Sequence, residues 1–416
     1  MNILLINHYA GSIRHGMEYR PYYLAREWVR MGHTVTIAAA SVSHLRSAPP
    51  EIRGTITREI IDGITYVWFK TPSYKGNGAL RAVNIFSFVG QLLWNQRWLA
   101  CEFRPDLVIA SSTYPLDVLA AQAIAHRSNA RLIFEVHDLW PLSPIELGGM
   151  SKHHPFILMM QWAENYAYRS ADWVVSILPW AEEHMREHGM RPGRFVHIPN
   201  GIDVEEWNEG SAMLPEEHAR AIAECKAQGR TIVGYAGAHG LANALEALVE
   251  TAELLRSMPL AFVLVGQGQG KEELKQLAAR RGLVNVIFLP PVLKDVIPSL
   301  LREMDILYIG WRQDLLIYRF GISANKLLDY MMSGRPIVHA VRAANDPVAE
   351  SGCGISVAPE DAPAIAAAVQ KLAAMSVEER NVIGQRGQAR VVENHDYRVL
   401  AKKFLEAIDN QNKTYA

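Results

Sequence analysis

Residues 320–336 place several groups that bind phosphates and hydroxyls close together in the chain. Ser323 precedes a predicted helix and is expected to cap it, so that Asn325 and Lys326 lie in its first turn. Asp329 lies on the same face, one turn further along. A cation and free N–H groups at a helix start can bind a diphosphate, and a carboxylate can accept from a ribose diol. A nucleotide site is predicted, with a Lys–Asp surface pair as the alternative.

A second group of polar side chains follows an apolar segment that reads as a buried strand. His137 and Asp138 come directly after it, and Trp140 is two residues further on. These side chains suit a polyhydroxylated ligand, since hydroxyls need both donors and acceptors and a sugar ring can lie on an aromatic face. The alternative is a buried histidine that only bonds to the backbone. The position after a strand favours the binding site.

Three glycine-rich segments follow predicted strands and lead into predicted helices, at residues 11–16, 237–240 and 266–271. Such turns leave backbone N–H groups free to meet a phosphate. The first two lack the GxGxxG spacing, so glycines that only turn the chain are an equal alternative. The third resembles a P-loop but has too few residues between its glycines, and Glu272 stands where Ser or Thr would bind magnesium. This excludes an ATPase and leaves the edge of a nucleotide pocket.

His184 and His188 form an HxxEH pattern, which in zinc proteases puts two imidazoles one turn apart. No third-ligand motif accompanies them, and Gly189 ends the segment, so we expect no metal here. There is also no GxSxG and no Asp-x-Asp pair. The three cysteines are far apart, which argues against a structural metal and for a reducing compartment.

The overall composition is that of an ordinary globular protein of 416 residues. Lys and Arg number 42 against 43 Asp and Glu, so there is no basic field of the kind that attracts nucleic acid. The N-terminus MNILLINHY reads as a strand and not as a signal peptide, and no segment reaches the roughly 20 apolar residues of a membrane span. We therefore expect a cytoplasmic protein, with at most peripheral membrane contact.

The elements that must position these groups alternate between short apolar runs and helix-length segments. The predicted strands are residues 3–6, 34–39, 107–110, 132–136, 173–177 and 195–198, then 231–235, 260–265, 285–288, 306–309, 337–339 and 355–357. Runs that are apolar throughout indicate parallel sheets with helical crossovers. Residues 55–61 and 65–69 predict an inserted hairpin that turns at Asp62-Gly63. The fold class is α/β, with two Rossmann-like units and ligands bound in a cleft between them.

At these residues the chain resembles glycosyltransferase family 4, a group of retaining enzymes with the GT-B fold. The matching motifs are Gly32-His33-Thr34, Arg104-Pro105-Asp106, His137-Asp138, Pro199-Asn200-Gly201-Ile202-Asp203, Val265-Gly266-Gln267-Gly268, Met304-Asp305 and Leu328-Asp329-Tyr330-Met331-Met332-Ser333-Gly334-Arg335-Pro336. Residues 15–23 and the Ser-x-Asn-Lys element resemble a subgroup from bacterial O-antigen, capsule and exopolysaccharide gene clusters, which includes transferases of N-acetylated amino-deoxyhexoses.

The chain departs from the family pattern at three positions. Of the family's two acidic residues separated by seven, only the second has a counterpart, Asp329, and the first falls on Gly321. The usual Arg and Lys after the first strand of the second domain fall on Ala238 and Asn243. Because a departing diphosphate needs positive charge, these departures place more weight on Lys326, Arg319, Arg14 and backbone N–H groups.

The resemblance implies a GT-B fold in which residues 1–195, joined by a C-terminal helix in 396–416, bind the acceptor and residues 196–395 bind a nucleotide sugar. It implies a retaining transfer that needs no metal and no cofactor, with a UDP-sugar as the favoured donor. His137 and Lys326 would be the catalytic residues. The donor would contact Gly237, His239, Gly266, Gly268, Ser323, Asn325, Lys326 and Asp329. The acceptor would contact Gly11, Ser12, Arg14, Glu18 and Asp138.

The expected acceptor is a polyprenyl-diphosphate-linked sugar at the inner face of the cytoplasmic membrane. Residues 79–99 and 155–168 are rich in apolar and aromatic residues and could touch that membrane, although packing on the sheet is the favoured interpretation for 155–168. Two other functions fit the same sequence features. One is an epimerase of the UDP-N-acetylglucosamine 2-epimerase type, and the other is a non-catalytic nucleotide-sugar sensor.

Overall fold

A computed structural model describes residues 1–76, 78–209, 212–313 and 315–410. The chain divides into two compact units. Unit 1 contains Met1–Asn200 and the C-terminal helix from Tyr397, and unit 2 contains Gly201–Asp396. The division falls later than the predicted boundary at 195, because the strand Phe195–His197 pairs with its neighbour in the sheet of unit 1. The predicted C-terminal segment begins at Tyr397 instead of 396, and its residues 411–416 lie outside the described part of the chain.

Unit 1 contains one eight-stranded sheet. Its strands are β1 (Asn2–Ile6), β2 (Thr34–Ala40), β3 (Ile56–Ile61), β4 (Ile64–Phe69), β5 (Leu107–Ala110), β6 (Arg131–Val136), β7 (Trp173–Ser176) and β8 (Phe195–His197). Their order is β3-β4-β2-β1-β5-β6-β7-β8, and every neighbouring pair is parallel except β3 with β4. The hairpin turns at Asp62 and Gly63, which both have positive φ, as a two-residue hairpin turn requires. The six predicted strands and the hairpin are confirmed.

Unit 2 contains one six-stranded parallel sheet. Its strands are β9 (Thr231–Ala236), β10 (Leu260–Val265), β11 (Val286–Leu289), β12 (Ile306–Gly310), β13 (Ile337–Ala340) and β14 (Gly354–Ser356). The order β11-β10-β9-β12-β13-β14 is that of a doubly wound Rossmann sheet. The strand order reverses between β9 and β12, so ligands are expected at the carboxyl ends of these two strands.

The α-helices connect the strands, except for the last three, which follow the final strand. They are α1 (Arg20–Arg30), α2 (Ala79–Trp94), α3 (Gln96–Phe103), α4 (Val118–Ser128), α5 (Leu142–Glu146), α6 (Pro155–Ser170), α7 (Glu182–Glu187), α8 (Val204–Glu209), α9 (Glu216–Ala227), α10 (Leu245–Leu254), α11 (Lys271–Arg280), α12 (Ile297–Arg302), α13 (Asn325–Met332), α14 (Pro347–Ser351), α15 (Ala362–Ala373), α16 (Val377–Asn394) and α17 (Tyr397–Asn410). A short 3₁₀ helix, Leu316–Phe320, precedes α13.

The last helix, α17, belongs to the core of unit 1 because its apolar face packs on α1. Tyr397 stacks on Tyr23 with ring centres 4.9 Å apart, and Phe404 meets the edge of Trp28 at 5.2 Å. The Trp28 indole N–H donates to the carbonyl of Ala401 at 3.0 Å. These aromatic side chains bury a large apolar area together. The chain therefore returns from unit 2 to complete the first core.

Helix α2 has one face on the sheet and one face in solvent. Ile85, Phe88 and Leu92 are buried, whereas Val83 and Trp94 are exposed, Trp94 to 88%. In the described part of the chain, no helix is both long and apolar enough to cross a bilayer.

Candidate functional site

The first turn of α13 in unit 2 carries a lysine whose ammonium group has only neutral partners. Lys326 Nζ donates to the Tyr235 hydroxyl at 2.8 Å and to Asn243 Oδ1 at 3.1 Å. It also lies 4.4 Å from the centre of the Tyr235 ring. Burial lowers the pKa of Lys326 to about 8, and no acid among the described residues offsets this shift. The site therefore holds a cation that an anionic ligand could neutralise.

Two glycine loops meet beside this lysine with their backbones in direct contact. A Cβ on Gly237 would lie 2.5 Å from Lys326 Cε and 2.7 Å from its Nζ. A Cβ on Gly266 would lie 1.9 Å from the carbonyl oxygen of Gly237, and one on Gly268 would lie 2.4 Å from that of His239. Only glycine fits at these positions, because any side chain would push the loops or the ammonium group away.

The side chain of Lys271 differs in its contacts from the phosphate-binding lysine of a P-loop, although residues 266–271 resemble one in sequence. Its ammonium group is buried and donates to the carbonyls of Gly266 at 2.7 Å and Leu289 at 2.8 Å. This lysine therefore holds the loop against β11 and is not directed at a phosphate.

His239 is buried in the first of these loops, and neither of its ring nitrogens has a hydrogen-bond partner among the described residues. Burial, with Lys271 and Lys326 nearby, lowers its pKa to about 4. The imidazole is therefore neutral at pH 7, with one donor and one acceptor unused. A buried polar group without a partner is costly, so this side chain points to a ligand.

The start of α13 differs from the prediction in one respect. Ala324 occupies the N-cap position in an extended conformation, and no side chain of the described residues caps the helix. The expectation that Ser323 caps it is therefore wrong, although Ser323 and the exposed Asn325 both lie at the helix start. Asn345 holds the preceding loop by accepting from the N–H of Ile322 at 2.7 Å. The N–H groups of Asn325 and Lys326 have no acceptor among the described residues and remain available to an anion, whereas that of Leu327 donates to the carbonyl of Ala324 at 3.1 Å.

Gly321, in the same loop, shows why the family's first acidic residue is replaced here. Its φ is 91° and its ψ is −178°, a conformation that essentially only glycine adopts. An acidic side chain at this position would require a different backbone path.

Asp329 lies half-buried on α13 beside Trp207 and Lys294. Burial raises its pKa to about 6, against the opposing effects of Lys294 and of the Trp207 indole. The carboxylate is thus largely ionised at pH 7. Its neighbours differ from those of Lys326, which contacts Tyr235 and Asn243, so the two side chains lie in different surroundings.

The predicted catalytic histidine of unit 1 belongs to a buried polar network at the carboxyl ends of β5 and β6. His137 Nε2 lies 3.1 Å from Glu135 Oε2 and 2.9 Å from Ser111 Oγ, which itself donates to Glu135 at 2.6 Å. The Arg20 guanidinium donates to Glu135 Oε1 at 3.0 Å. Burial opposes ionisation of Glu135, but Arg20 and His137 outweigh it and hold its pKa well below the usual range. The network orients the imidazole and supplies an acid partner for it.

The remaining predicted acceptor residues lie in two places in unit 1. Gly11 N–H donates to the carbonyl of Glu18 at 2.8 Å, and the buried Ser12 hydroxyl bonds to His15 at 2.9 Å. Arg14 is exposed and 3.6 Å from Glu59, and Glu18 is half-buried. Asp138, whose pKa is raised by burial, accepts from the Ser143 hydroxyl.

The structure brings together five of the predicted donor residues, namely Gly237, His239, Gly266, Gly268 and Lys326. Sequence reasoning did not identify Tyr235 and Asn243 as the partners of the lysine. It also missed the buried Glu135 and Arg20, which hold His137. Among the described residues one group could hold a metal, Glu164 with His184 and His188.

Two family models match the chain in succession. A glycosyl transferase 4-like domain matches residues 15–201, and a glycosyl transferases group 1 domain matches residues 230–375. These ranges correspond to unit 1 and unit 2.

Two curated relatives are similar to parts of the chain. The putative colanic acid biosynthesis glycosyl transferase WcaI of Escherichia coli K12 is 25% identical over 67% of this chain and 69% of its own. The alpha-D-kanosaminyltransferase of Streptomyces kanamyceticus is 27% identical over 51% of this chain and 54% of its own. The chain thus spans about half the length of the second relative.

Among solved structures, Anabaena HepE in complex with UDP and glucose is similar over 98% of this chain and 99% of its own, with a TM-score of 0.67 and 18% identity. At this identity the likeness concerns the fold. The chain therefore belongs to the glycosyltransferases of family 4, with the two α/β domains of the GT-B fold.

Proposed function

We propose that the chain transfers a sugar from a nucleoside diphosphate donor bound to unit 2. The observation that carries this proposal is the half-buried ammonium group of Lys326, which has no acidic partner among the described residues and lies beside two glycine loops and an uncapped helix start. The positive charge and the free N–H groups match the charge and acceptor oxygens of a diphosphate. HepE, whose fold is similar, was solved with UDP and glucose, and this favours a UDP-sugar.

The proposed reaction needs no protein nucleophile and no metal. The bond between the sugar carbon C1 and the β-phosphate oxygen breaks, and a bond from C1 to the acceptor oxygen forms on the same face. The departing phosphate oxygen takes the acceptor's proton. Lys326 stabilises the negative charge that develops on the diphosphate, which is the role of a preorganised electrostatic group.

The other donor contacts follow from the neighbours of each side chain. Asp329 is ionised at pH 7 and accepts hydrogen bonds from the ribose hydroxyls. His239 is neutral and buried, and uses its unpaired nitrogens on the phosphate or sugar oxygens. Ser323 and Asn325 provide polar groups at the helix start.

We assign acceptor binding to unit 1, where Gly11, Ser12, Arg14, Glu18 and Asp138 are the proposed contacts and His137 contacts the transferred sugar. The acceptor is a sugar on polyprenyl diphosphate, and the donor sugar is an N-acetylated amino-deoxyhexose. The similarity to WcaI, a putative glycosyl transferase of colanic acid biosynthesis, supports the choice of acceptor, and the similarity to a kanosaminyltransferase supports the choice of donor sugar. The product belongs to a bacterial surface polysaccharide.

The experiment begins with a donor screen and then separates three functions. UDP-, GDP- and dTDP-sugars are tested by thermal shift, because a ligand of the native state raises its stability. The selected donor is then incubated with extracted lipid-linked acceptors. Nucleoside diphosphate release that requires the acceptor supports the transferase. Deuterium exchange at sugar C2 without acceptor indicates the epimerase, and binding without turnover indicates a sensor.

A further inference from the structure

Three side chains that can bind a metal lie together in unit 1. Glu164 comes from α6, His184 from α7, and His188 follows α7 directly. One ligand atom from each lies within 4.8 Å of the others. Glu164 is buried and both imidazoles are half-buried, so an ion could enter from the solvent side.

The distances fit a shared ion better than a strong ion pair. His184 Nε2 lies 3.4 Å from Glu164 Oε1, longer than a charge-assisted hydrogen bond. Two ligands of one tetrahedral zinc ion, each roughly 2.1 Å from the metal, are about 3.4 Å apart. The rings of His184 and His188 have centres only 4.3 Å apart, so both imidazoles reach the same point.

Neighbouring groups orient two of the three side chains, His188 and Glu164. His188 Nδ1 lies 2.8 Å from the carbonyl oxygen of His184, to which it can only donate, and this leaves His188 Nε2 as the lone-pair nitrogen. Tyr168 donates to Glu164 Oε1 at 3.0 Å, and Gln161 donates to Oε2 at 2.7 Å. Such outer partners fix the tautomer of a ligand histidine and the direction of a ligand carboxylate.

We propose that Glu164, His184 and His188 bind a divalent transition-metal ion, zinc, with water in the fourth position. Two imidazoles and one carboxylate form a zinc ligand set, whereas magnesium and calcium prefer oxygen ligands alone. The ion links α7 to α6 and thereby stabilises unit 1. The three side chains belong to unit 1 and the proposed donor residues all belong to unit 2, so the proposal is independent of the proposed function.

The test uses tag-free full-length protein, stripped with EDTA and dialysed. Zinc is titrated in competition with a chromogenic chelator, and Co²⁺ is added separately to read the absorption of a low-coordinate site. Wild type should bind one zinc per chain. Glu164→Gln, His184→Ala and His188→Ala should each weaken binding at least about tenfold. His126→Ala removes an exposed histidine of α4 and should bind as wild type does.

Thermal melts separate loss of the site from loss of the fold. All variants should melt cooperatively in EDTA, and zinc should raise the melting temperature of wild type and His126→Ala but not of the three site variants. If the histidine variants fold poorly, the isosteric Glu164→Gln remains informative, because it keeps the shape of the side chain and one acceptor oxygen for Tyr168. If wild type shows no saturable single zinc site, or if Glu164→Gln binds zinc as tightly as wild type does, the proposal is overturned. His184 and Glu164 would then form only an ion pair.

Discussion

The protonation state of Lys326 should control the binding of UDP. Burial lowers its pKa to about 8, and a bound diphosphate stabilises the ammonium form. At pH 8 only about half of the free protein carries the charge, so UDP binding should take up about half a proton. Affinity should fall as the pH rises above 8, because the charged form becomes rarer.

Calorimetric titration of UDP in buffers with different ionisation enthalpies measures this proton uptake. Lys326→Met should abolish the uptake at pH 8 and weaken binding at pH 7. If Lys326→Met takes up the same number of protons as wild type, another group holds the diphosphate.

Gly237→Ala should damage ligand binding beyond its effect on stability. The new Cβ would lie 2.5 Å from Lys326 Cε, and the φ of 157° at this position is one that side chains rarely adopt. We expect the strained backbone to lower the free energy of unfolding by about 1–3 kcal/mol, with a melt that is still cooperative, and the UDP affinity of the folded protein to fall at least about tenfold, or roughly 1.4 kcal/mol. Thermal melts and UDP titrations measure the two effects.

Gly240→Ala is the matched control in the same loop, because its Cβ would meet only Asn243 Nδ2, at 3.9 Å. It should bind UDP as wild type does. Equal affinities of the two variants would show that the contact of Gly237 with Lys326 has no role in binding.

Single site residues could be predicted only where their position along the chain indicates a ligand site. Lys326 and Asp329 could be predicted because they lie near the start of a helix that leads into a strand, and ligands often bind at such a helix start. The sequence could not reveal that Tyr235 and Asn243 accept from Lys326, since these contacts span 91 and 83 residues. Glu164 was missed for the same reason, because it lies 20 residues before His184 on another helix.

Between elements, Arg20 at the start of α1 connects three segments of unit 1. It bonds to Glu135 on β6 and donates to the carbonyls of Ile198 at 2.9 Å and Pro199 at 2.6 Å, beyond β8. Both charged side chains are only 1% exposed. A buried pair of this kind is costly to break, because the Glu135 carboxylate would lose its guanidinium partner in a place that water does not reach and would keep only Ser111 and His137.

We therefore expect Arg20→Met to lower the free energy of unfolding by about 3–5 kcal/mol. Because the folded-state pKa of Glu135 is depressed, the contribution is present above the ordinary glutamate pKa and is lost only as the pH falls toward the folded-state value. Chemical denaturation at pH 7 measures the loss. Arg30→Met is the control, because Arg30 is half exposed and its pair with Glu27 should contribute less than about 1 kcal/mol. Equal stabilities would contradict this account.

Helix α2 should bind anionic vesicles weakly, through its exposed apolar face. Val83, Phe86 and Trp94 are exposed, whereas Trp98 packs beside Phe103 and Arg58 and Arg81 turns inward to Tyr9. The exposed apolar part of this region is thus narrower than the predicted segment. We expect this binding to be reversible and salt-sensitive, because only a few apolar side chains are exposed and each nearby basic residue contributes only about 1 kcal/mol of binding free energy.

Co-sedimentation with phosphatidylglycerol vesicles at low and high salt measures this binding. Phe86→Ser with Trp94→Ser should abolish it, and Trp180→Ser, which removes an exposed tryptophan outside α2, should not. If the first two substitutions leave vesicle binding unchanged, another surface of the protein contacts the membrane.

The parallel strands could be predicted because strands buried on both faces are apolar throughout, as β1 and β10 are. The hairpin joins the sheet through the pairing of β4 with β2, which extends the sheet beyond the six predicted strands. This pairing could not be predicted, because the sequence of a hairpin does not specify which edge of a sheet it joins. The N-cap of α13 was predicted one residue early. Ser323 has the higher preference for an N-cap position, but the loop at Ile322 is held by Asn345 and fixes the start of the helix, so that Ala324 becomes the N-cap.

At the scale of the whole molecule, the two units carry different parts of the proposed chemistry. Unit 2 has the positive charge and glycine loops of a diphosphate site, and unit 1 has the His137 network and the exposed face of α2. Composition and strand pattern predicted two Rossmann-like units, and the family models confirm the glycosyltransferase family. The identity of the sugars does not follow from the fold, because it depends on contacts with ligands.

The central claim is that Lys326 supplies the charge for sugar transfer without a metal. The most direct test measures turnover of the donor and acceptor pair selected by the screen, in excess EDTA, for wild type, Lys326→Ala and Lys371→Ala, the last an exposed lysine of α15. We predict that wild type and Lys371→Ala remain active, and that kcat/KM of Lys326→Ala falls by about 10²–10³, or roughly 3–4 kcal/mol. Wild-type activity that is lost in EDTA and restored by magnesium or manganese, or a Lys326→Ala variant as active as wild type, would contradict the claim.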